Sequence, residues 1–368
     1  MRIGIIGVGL IGGSIGLAAR ERIDGARVVG FDSSEDALAA ALERGAIDER
    51  SSSLSGAVEG CEVCFVCCPV GALGAAVREA LELCGDCVVS DVGSTKRAVL
   101  NDLAESGVPE SEVSRFVGGH PLAGAEASGV EHARGDLFEG ATWYLTPTAR
   151  TSGVHYERLY RTISAFGARP AAVDTSTHDR LMATVSHLPH ALANALVGQA
   201  ARALVEEEQT LPATGPSFRD ATRVAGANPA LWRDIFLSNR EAIEAELEAY
   251  ISELGGVLDR LRSADPDTLE SWIEGARADR QRLLESELAG GPVSELRVTV
   301  PNQPGIVAKV SLALGEAGVN IVDMALYPAP DMKSGAIALW VSGDRGAVRA
   351  VELIASLGYP ASVVDSGH

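Results

Sequence analysis

Residues 2–12 read Arg-Ile-Gly-Ile-Ile-Gly-Val-Gly-Leu-Ile-Gly, an apolar run that passes into a glycine-studded turn. A short apolar run closed in this way is the pattern of a buried strand. Gly7-Val8-Gly9-Leu10-Ile11-Gly12, at the opening of the helical stretch that follows, fits G-x-G-x-x-G. The first glycine of that pattern permits the tight turn, the second lets the backbone approach a pyrophosphate, and the third lets the helix pack on the strand. The helix N-terminus adds unpaired N–H groups and a positive dipole end. Asp32 closes the next apolar run, ARVVGFD, twenty residues after Gly12. A carboxylate there accepts hydrogen bonds from the adenosine ribose hydroxyls and repels a 2′-phosphate, and Ser33 and Ser34 provide no arginine to hold one. Gly7, Gly9, Leu10, Ile11, Gly12 and Asp32 are therefore expected to bind NAD in preference to NADP.

Beyond this turn, SIGLAARER reads as a helix, ARVVGFD as a second strand and SEDALAAALERG as a second helix, with CEVCFVCCP and CVVSDV as further strands. That alternation implies an α/β fold, a doubly wound parallel sheet of the Rossmann type, over residues 1–150. Helical periodicity takes over afterwards, with Leu181, Val185, Leu188, Leu192 and Leu196 spaced to share one face. An all-helical domain is expected over 151–288, with part of its apolar surface meeting a second subunit. An Ala-Gly-Gly-Pro linker at 289–292 then leads into βαββαβ order over 294–368, the ferredoxin-like plan.

The chain has 368 residues, enough for two or three domains at roughly 100 to 200 residues each. Its 50 acidic against 31 basic residues give a net charge of −19, a field that repels phosphate backbones and acidic lipid surfaces. Neither nucleic acid nor a membrane is an expected partner. The uncharged run from Ile3 to Ala19 superficially resembles a secretory signal, but six of its seventeen residues are glycine, which opposes an apolar helix. All six cysteines lie at 61, 64, 67, 68, 84 and 87. Their C-x-x-C spacing is that of a zinc site, yet Cys64 and Cys67 fall on a strand-like run where residues three apart face opposite ways, so no metal is expected. The absence of cysteine elsewhere and of a secretory segment points to the cytoplasm.

Ligands of doubly wound sheets sit beyond the carboxyl ends of the strands. Two loops there carry chemistry: Gly93-Ser94-Thr95-Lys96 after CVVSDV, and His120-Pro121-Leu122-Ala123-Gly124-Ala125-Glu126 after RFVGG. Ser94 can be read either as a site residue or as the N-cap of the helix TKRAVLNDLAES. His120 is held extended by the proline after it, in a glycine-rich loop where a core histidine is out of place. In the helical region, His187-Leu188-Pro189-His190 puts two histidines on one face, with a proline that frees the Val185 carbonyl and bends the helix. No third metal ligand follows at a recognisable spacing. Arg223 and Trp232 lie in FRDATRVAGANPALWRD; they can be a salt bridge and a core aromatic, or a fork for a substrate carboxylate and its wall.

Taken together, GVGLIGGSIG, DVGSTK, GGHPLAGAEASGVE, SHLPHALANAL and FRDATRVAGANPALWRDIF resemble the prephenate dehydrogenase family of tyrosine biosynthesis, which includes arogenate dehydrogenases. The resemblance implies NAD-dependent oxidative decarboxylation of prephenate or arogenate, with His120 as catalytic base and Ser94 as its partner on the substrate hydroxyl. Glu126, His187, His190, Arg223 and Trp232 would surround the substrate. PNQPGIVAKVSLALGEAGVNIVDM resembles an ACT regulatory domain, which implies an amino-acid effector, tyrosine, bound around Asn302, Gln303, Gly305 and Asn320 in a homodimer or higher oligomer. Two other readings stay open: a 3-hydroxyacid-type dehydrogenase using Lys96, and a non-catalytic sensor of NAD and an amino acid.

Overall fold

The computed structural model describes residues 1–124, 128–206, 214–287, 293–301, 303, 306–319, 321–329 and 334–364. Strands β1 (Arg2–Ile6), β2 (Arg27–Phe31), β3 (Glu49–Arg50), β4 (Val63–Val66) and β5 (Val88–Asp91) make a parallel sheet in the order β3-β2-β1-β4-β5. Both faces are buried, because alternate residues of each strand feed different cores. Ile3, Ile5, Val63 and Phe65 join Trp143, Phe138 and Phe166 on one face. Ile6, Cys64 and Val66 join Leu73, Val77, Leu81 and Val89 on the other. Cys64 packs into the second core with Cys61, Cys84 and Cys87, whereas Cys67 lies against the first.

Strand β6 (Gly118–Pro121) continues this sheet through a parallel bridge between Val89 and Phe116. It is followed by β7 (Thr142–Thr146), antiparallel to it, and β8 (Arg169–Ala172), parallel to β7. The helix Gly153–Ala165 connects the last two as a crossover. The α/β layer thus runs past residue 150, where the sequence reading ends it, because Leu145 pairs with Ala172 and completes the sheet.

Helices then dominate: Thr175–Met182, a π-helical turn Ala183–His187, Leu188–Glu206, Pro216–Thr222, Pro229–Ser238, Arg240–Ser263 and Pro266–Glu287. The apolar series from Leu181 to Leu196 does not keep one face. Val185 is 59% exposed and Leu188 8%, because the π turn inserts a residue and shifts the phase just before Pro189. Asn228 starts the Pro229–Ser238 helix, its side-chain oxygen accepting from the amides of Ala230 and Leu231 at 3.0 and 3.3 Å, with proline in the first turn.

The chain packs as two units, residues 1–210 with 221–251 and residues 211–220 with 252–368. The second contains β9 (Val293–Pro301), β10 (Ile321–Pro328), β11 (Ser334–Ser342) and β12 (Ala361–Val363), antiparallel in the order β10-β11-β9-β12. With the helices Ile306–Glu316 and Asp344–Ser356 the element order is βαββαβ. Leu296, Val298, Ile337, Leu339, Val310, Leu314 and Ile354 form its core.

Candidate active site

The turn after β1 has the geometry that a dinucleotide needs. Gly7 has φ +94°, a conformation costly for any side chain, and an added Cβ would lie 2.7 Å from the Cys67 carbonyl oxygen. A methyl group on Gly12 would overlap the Gly7 carbonyl, so the helix Leu10–Arg22 approaches the strand as closely as backbone permits. At Gly9 a side chain would meet nothing within 4 Å; space is open where a pyrophosphate would approach. Asp32, just beyond β2, accepts from the amides of Val8 at 2.8 Å and Ser34 at 2.9 Å, which aims its carboxylate at the turn.

His120 sits on β6, which runs parallel to β5, so its ring lies at the carboxyl edge shared with the glycine turn and Asp32. A buried ion pair fixes this strand. Lys96 Nζ donates to Asp91 Oδ2 and, at 2.6 Å, to the Gly119 carbonyl, while the Gly119 amide donates to Asp91 Oδ1 at 3.2 Å. The Lys96 ammonium is wholly enclosed, and burial lowers its pKa against the opposing pull of Asp91. Its donors are committed to structure, unlike those of the catalytic lysine that the hydroxyacid reading would require.

The helix Arg97–Glu105 is not capped by Ser94. Its N-terminal amides, those of Lys96 and Arg97, each donate at 2.8 Å to Asp179, from the helix Thr175–Met182. Ser94 lies half-buried in the loop after β5, at the edge that carries His120. Thr95 Oγ1 donates to Ser238 Oγ at 3.1 Å, joining this loop to the end of the helix Pro229–Ser238.

His120 Nδ1 lies 3.0 Å from His178 Nε2, and His178 Nδ1 lies 2.8 Å from Asp179 Oδ1. The His178 ring is enclosed between His120 and Tyr144, edge-on to both. Burial first, then the neighbouring His178, Lys96 and His187, holds the His120 imidazole well below the usual imidazole range. That favours the uncharged ring.

A second cluster forms across the helices. The His190 ring stacks on Trp232, and His187 meets Trp232 edge-on with centroids 5.9 Å apart. Asn239 Nδ2 donates to His187 Nδ1 at 3.1 Å and to the Asp179 carbonyl at 2.8 Å. Burial lowers the His187 pKa to about 4 against the pull of Asp179. The His190 pKa is lowered by burial and by the charge of Arg223. His190 Nδ1 is buried with no protein partner among the described residues.

Residues 15–171 match the model of the nucleotide-binding domain of prephenate dehydrogenase, and residues 174–275 that of its dimerization domain. The prephenate dehydrogenase of Bacillus subtilis is 31% identical over 355 residues, 95% of this chain and 94% of that protein. This chain belongs to the prephenate dehydrogenase family. Among solved members, the Aquifex aeolicus prephenate dehydrogenase in complex with hydroxyphenyl propionate and NAD+ is 29% identical with a TM-score of 0.68, covering 77% of this chain and 98% of that one. The Synechocystis arogenate dehydrogenase is 26% identical with a TM-score of 0.67, covering 77% and 100%. The chain is an NAD-dependent oxidoreductase of this family.

Within this family member, His120 is joined to His178, and His187, His190, Arg223 and Trp232 form one group. Glu126, Asn302, Gly305 and Asn320 lie outside the described residues. Gln303 is exposed after β9, its amide donating to the Pro301 carbonyl at 3.0 Å. Sequence reasoning missed His178, Asp179 and Asn239. The adjacent His-Asp pair in an otherwise ordinary helix, THDRLM, was the available signal.

Proposed function

We propose that this chain oxidises prephenate to 4-hydroxyphenylpyruvate and carbon dioxide with His120 as the base. The observation that carries this reading is a neutral, desolvated imidazole at the sheet edge that also bears the glycine turn and Asp32. Bound NAD supplies the hydride acceptor for C4 of the substrate. His120 takes the proton of the C4 hydroxyl, and Ser94 orients that hydroxyl from the loop after β5. Loss of the ring carboxylate then makes the product aromatic. General-base help of this kind is worth about 10²- to 10⁴-fold. Arg223 forks onto a substrate carboxylate, with His187, His190 and Trp232 as the wall beside it, and Glu126 is a further substrate contact.

His120→Asn tests this: kcat should fall by about 10²- to 10⁴-fold with little change in KM, whereas Arg223→Gln should mainly raise KM. Wild-type turnover in the first variant would overturn the assignment. The likeness to an arogenate dehydrogenase supports a second substrate reading, in which an ammonium replaces the keto group. His190, whose buried Nδ1 has no partner among the described residues, supports prephenate. Assays of both substrates side by side decide between them.

The enzyme acts in the cytoplasm as a homodimer or higher oligomer, with nucleotide binding in the α/β layer that runs through Ala172, substrate binding and dimerisation in the helices that follow, and regulation over 294–368. A family model described as a dimerization domain over 174–275 supports the oligomer. The βαββαβ order of the last segment supports an ACT domain that takes tyrosine as a feedback effector around Asn302, Gln303, Gly305 and Asn320. Removing 289–368 should leave catalysis intact and abolish inhibition by tyrosine; inhibition that survives would refute this role.

A further inference from the structure

The pair His178 and Asp179 does more than line the site. Asp179 offers only acceptors to its surroundings. Oδ1 receives the Lys96 amide and faces His178 Nδ1, each at 2.8 Å, and Oδ2 receives the Arg97 amide at 2.8 Å. A proton on His178 Nδ1 is what this arrangement demands. With that ring neutral, its Nε2 carries a lone pair, and the atom facing that lone pair at 3.0 Å is His120 Nδ1. His120 must then hold its own proton on Nδ1, which leaves Nε2 bare.

We propose that His178, held by Asp179, is a positioning residue that fixes His120 as the Nδ1–H tautomer, so that Nε2 is the atom that takes the substrate hydroxyl proton. The inference rests on His120 being the base. As the hydroxyl proton moves to Nε2, the ring becomes an imidazolium whose Nδ1–H stays directed at the His178 lone pair, and the charge is met by a preorganised acceptor. Tyr144, edge-on to His178 at 5.7 Å, and the fully enclosed setting keep the His178 ring from turning. Among the described residues, the other charged and titratable groups that act on His120 are Lys96 and His187. The Lys96 donors are already engaged by Asp91 and Gly119, and His187 Nδ1 by Asn239.

The experiment is ¹⁵N NMR of the ring nitrogens in full-length enzyme labelled at histidine, with His120 assigned by the signals lost in His120→Asn, together with steady-state kinetics of His178→Phe and Asp179→Asn. In the wild type, His120 should show a protonated Nδ1 and a bare Nε2. Asp179→Asn can present an amide N–H to His178 Nδ1, which would reverse both tautomers and close off Nε2; kcat should fall about 10²- to 10⁴-fold with KM within about threefold. His178→Phe should lower kcat and leave the His120 proton shared between its nitrogens. A wild-type His120 protonated at Nε2 would overturn the proposal without any variant needing to fold, as would wild-type kcat in His178→Phe. Either result alongside an inactive His120→Asn would leave the base assignment standing, whereas an active His120→Asn would remove the base assignment itself.

Discussion

The imidazole of His190 lies flat on the indole of Trp232, with ring centroids 3.4 Å apart and planes 21° from parallel. Two helices far apart in sequence are joined there. An aromatic pair of this kind contributes about 0.5–1.5 kcal/mol beyond its buried area. Trp232→Ala should therefore raise KM for prephenate roughly 2- to 10-fold while changing kcat much less. Steady-state kinetics check this, and an unchanged KM would take Trp232 out of the substrate wall.

Activity should persist into acid. Burial, with His178, Lys96 and His187 close by, lowers the His120 pKa well below 6.5. The neutral ring is the active form, so it stays competent as pH falls through that value. The acid limb of kcat/KM should lie clearly below pH 6.5, read from a rate profile with enzyme stability controlled. A limb at or above it would contradict the desolvated setting.

Acid should also weaken the fold. His187 is buried, and its pKa drops from 6.5 to about 4. As pH falls between those values, the unfolded chain takes up a proton that the folded chain refuses, so stability declines across that window and levels off below it. The loss should approach ~3 kcal/mol. Denaturation midpoints measured against pH should fall less steeply in His187→Asn; parallel curves would refute the assignment.

Lys96→Met should be severely destabilising, because it leaves Asp91 buried without its counter-charge. Removing one member of such a pair costs about 3–5 kcal/mol. Combining it with Asp91→Asn should recover part of the loss, as measured by urea unfolding. A single variant as stable as the wild type would show that the pair does not hold β6.

The NAD site offers two separable tests. Asp32→Ala should weaken NAD binding and narrow the preference over NADP, since the carboxylate is the group that repels a 2′-phosphate. Gly12→Ala should weaken both nucleotides alike and destabilise the fold by about 1–3 kcal/mol, through overlap with the Gly7 carbonyl. Cofactor titrations distinguish the two effects.

What could be read from the sequence follows from the range of the interactions. The glycine turn and Asp32 were legible because a strand, a tight turn and a helix start impose their chemistry within a few residues. His120 stood out in the sequence because Pro121 and the glycines around it suggest a loop, whereas the structure places it on β6 with its ring desolvated. His178 was not, since its meaning lies in a partner 58 residues away. Ser94 looked like a helix cap because the true cap, Asp179, comes from another helix more than eighty residues downstream, and no local pattern records that. Pro189 announced an irregular helix, but the inserted residue that swings Val185 into solvent depends on packing around the turn.

That wide turn has a consequence for how the site can change over time. In an unbroken α-helix, His178 and His187 would be about two and a half turns apart and would look in opposite directions. The extra residue rewinds the segment so that both influence His120. One segment therefore carries His178, which faces His120, at one end and His187 and His190, which face Trp232, at the other, and deleting Thr184 should uncouple the two clusters while leaving each of those side chains in the chain.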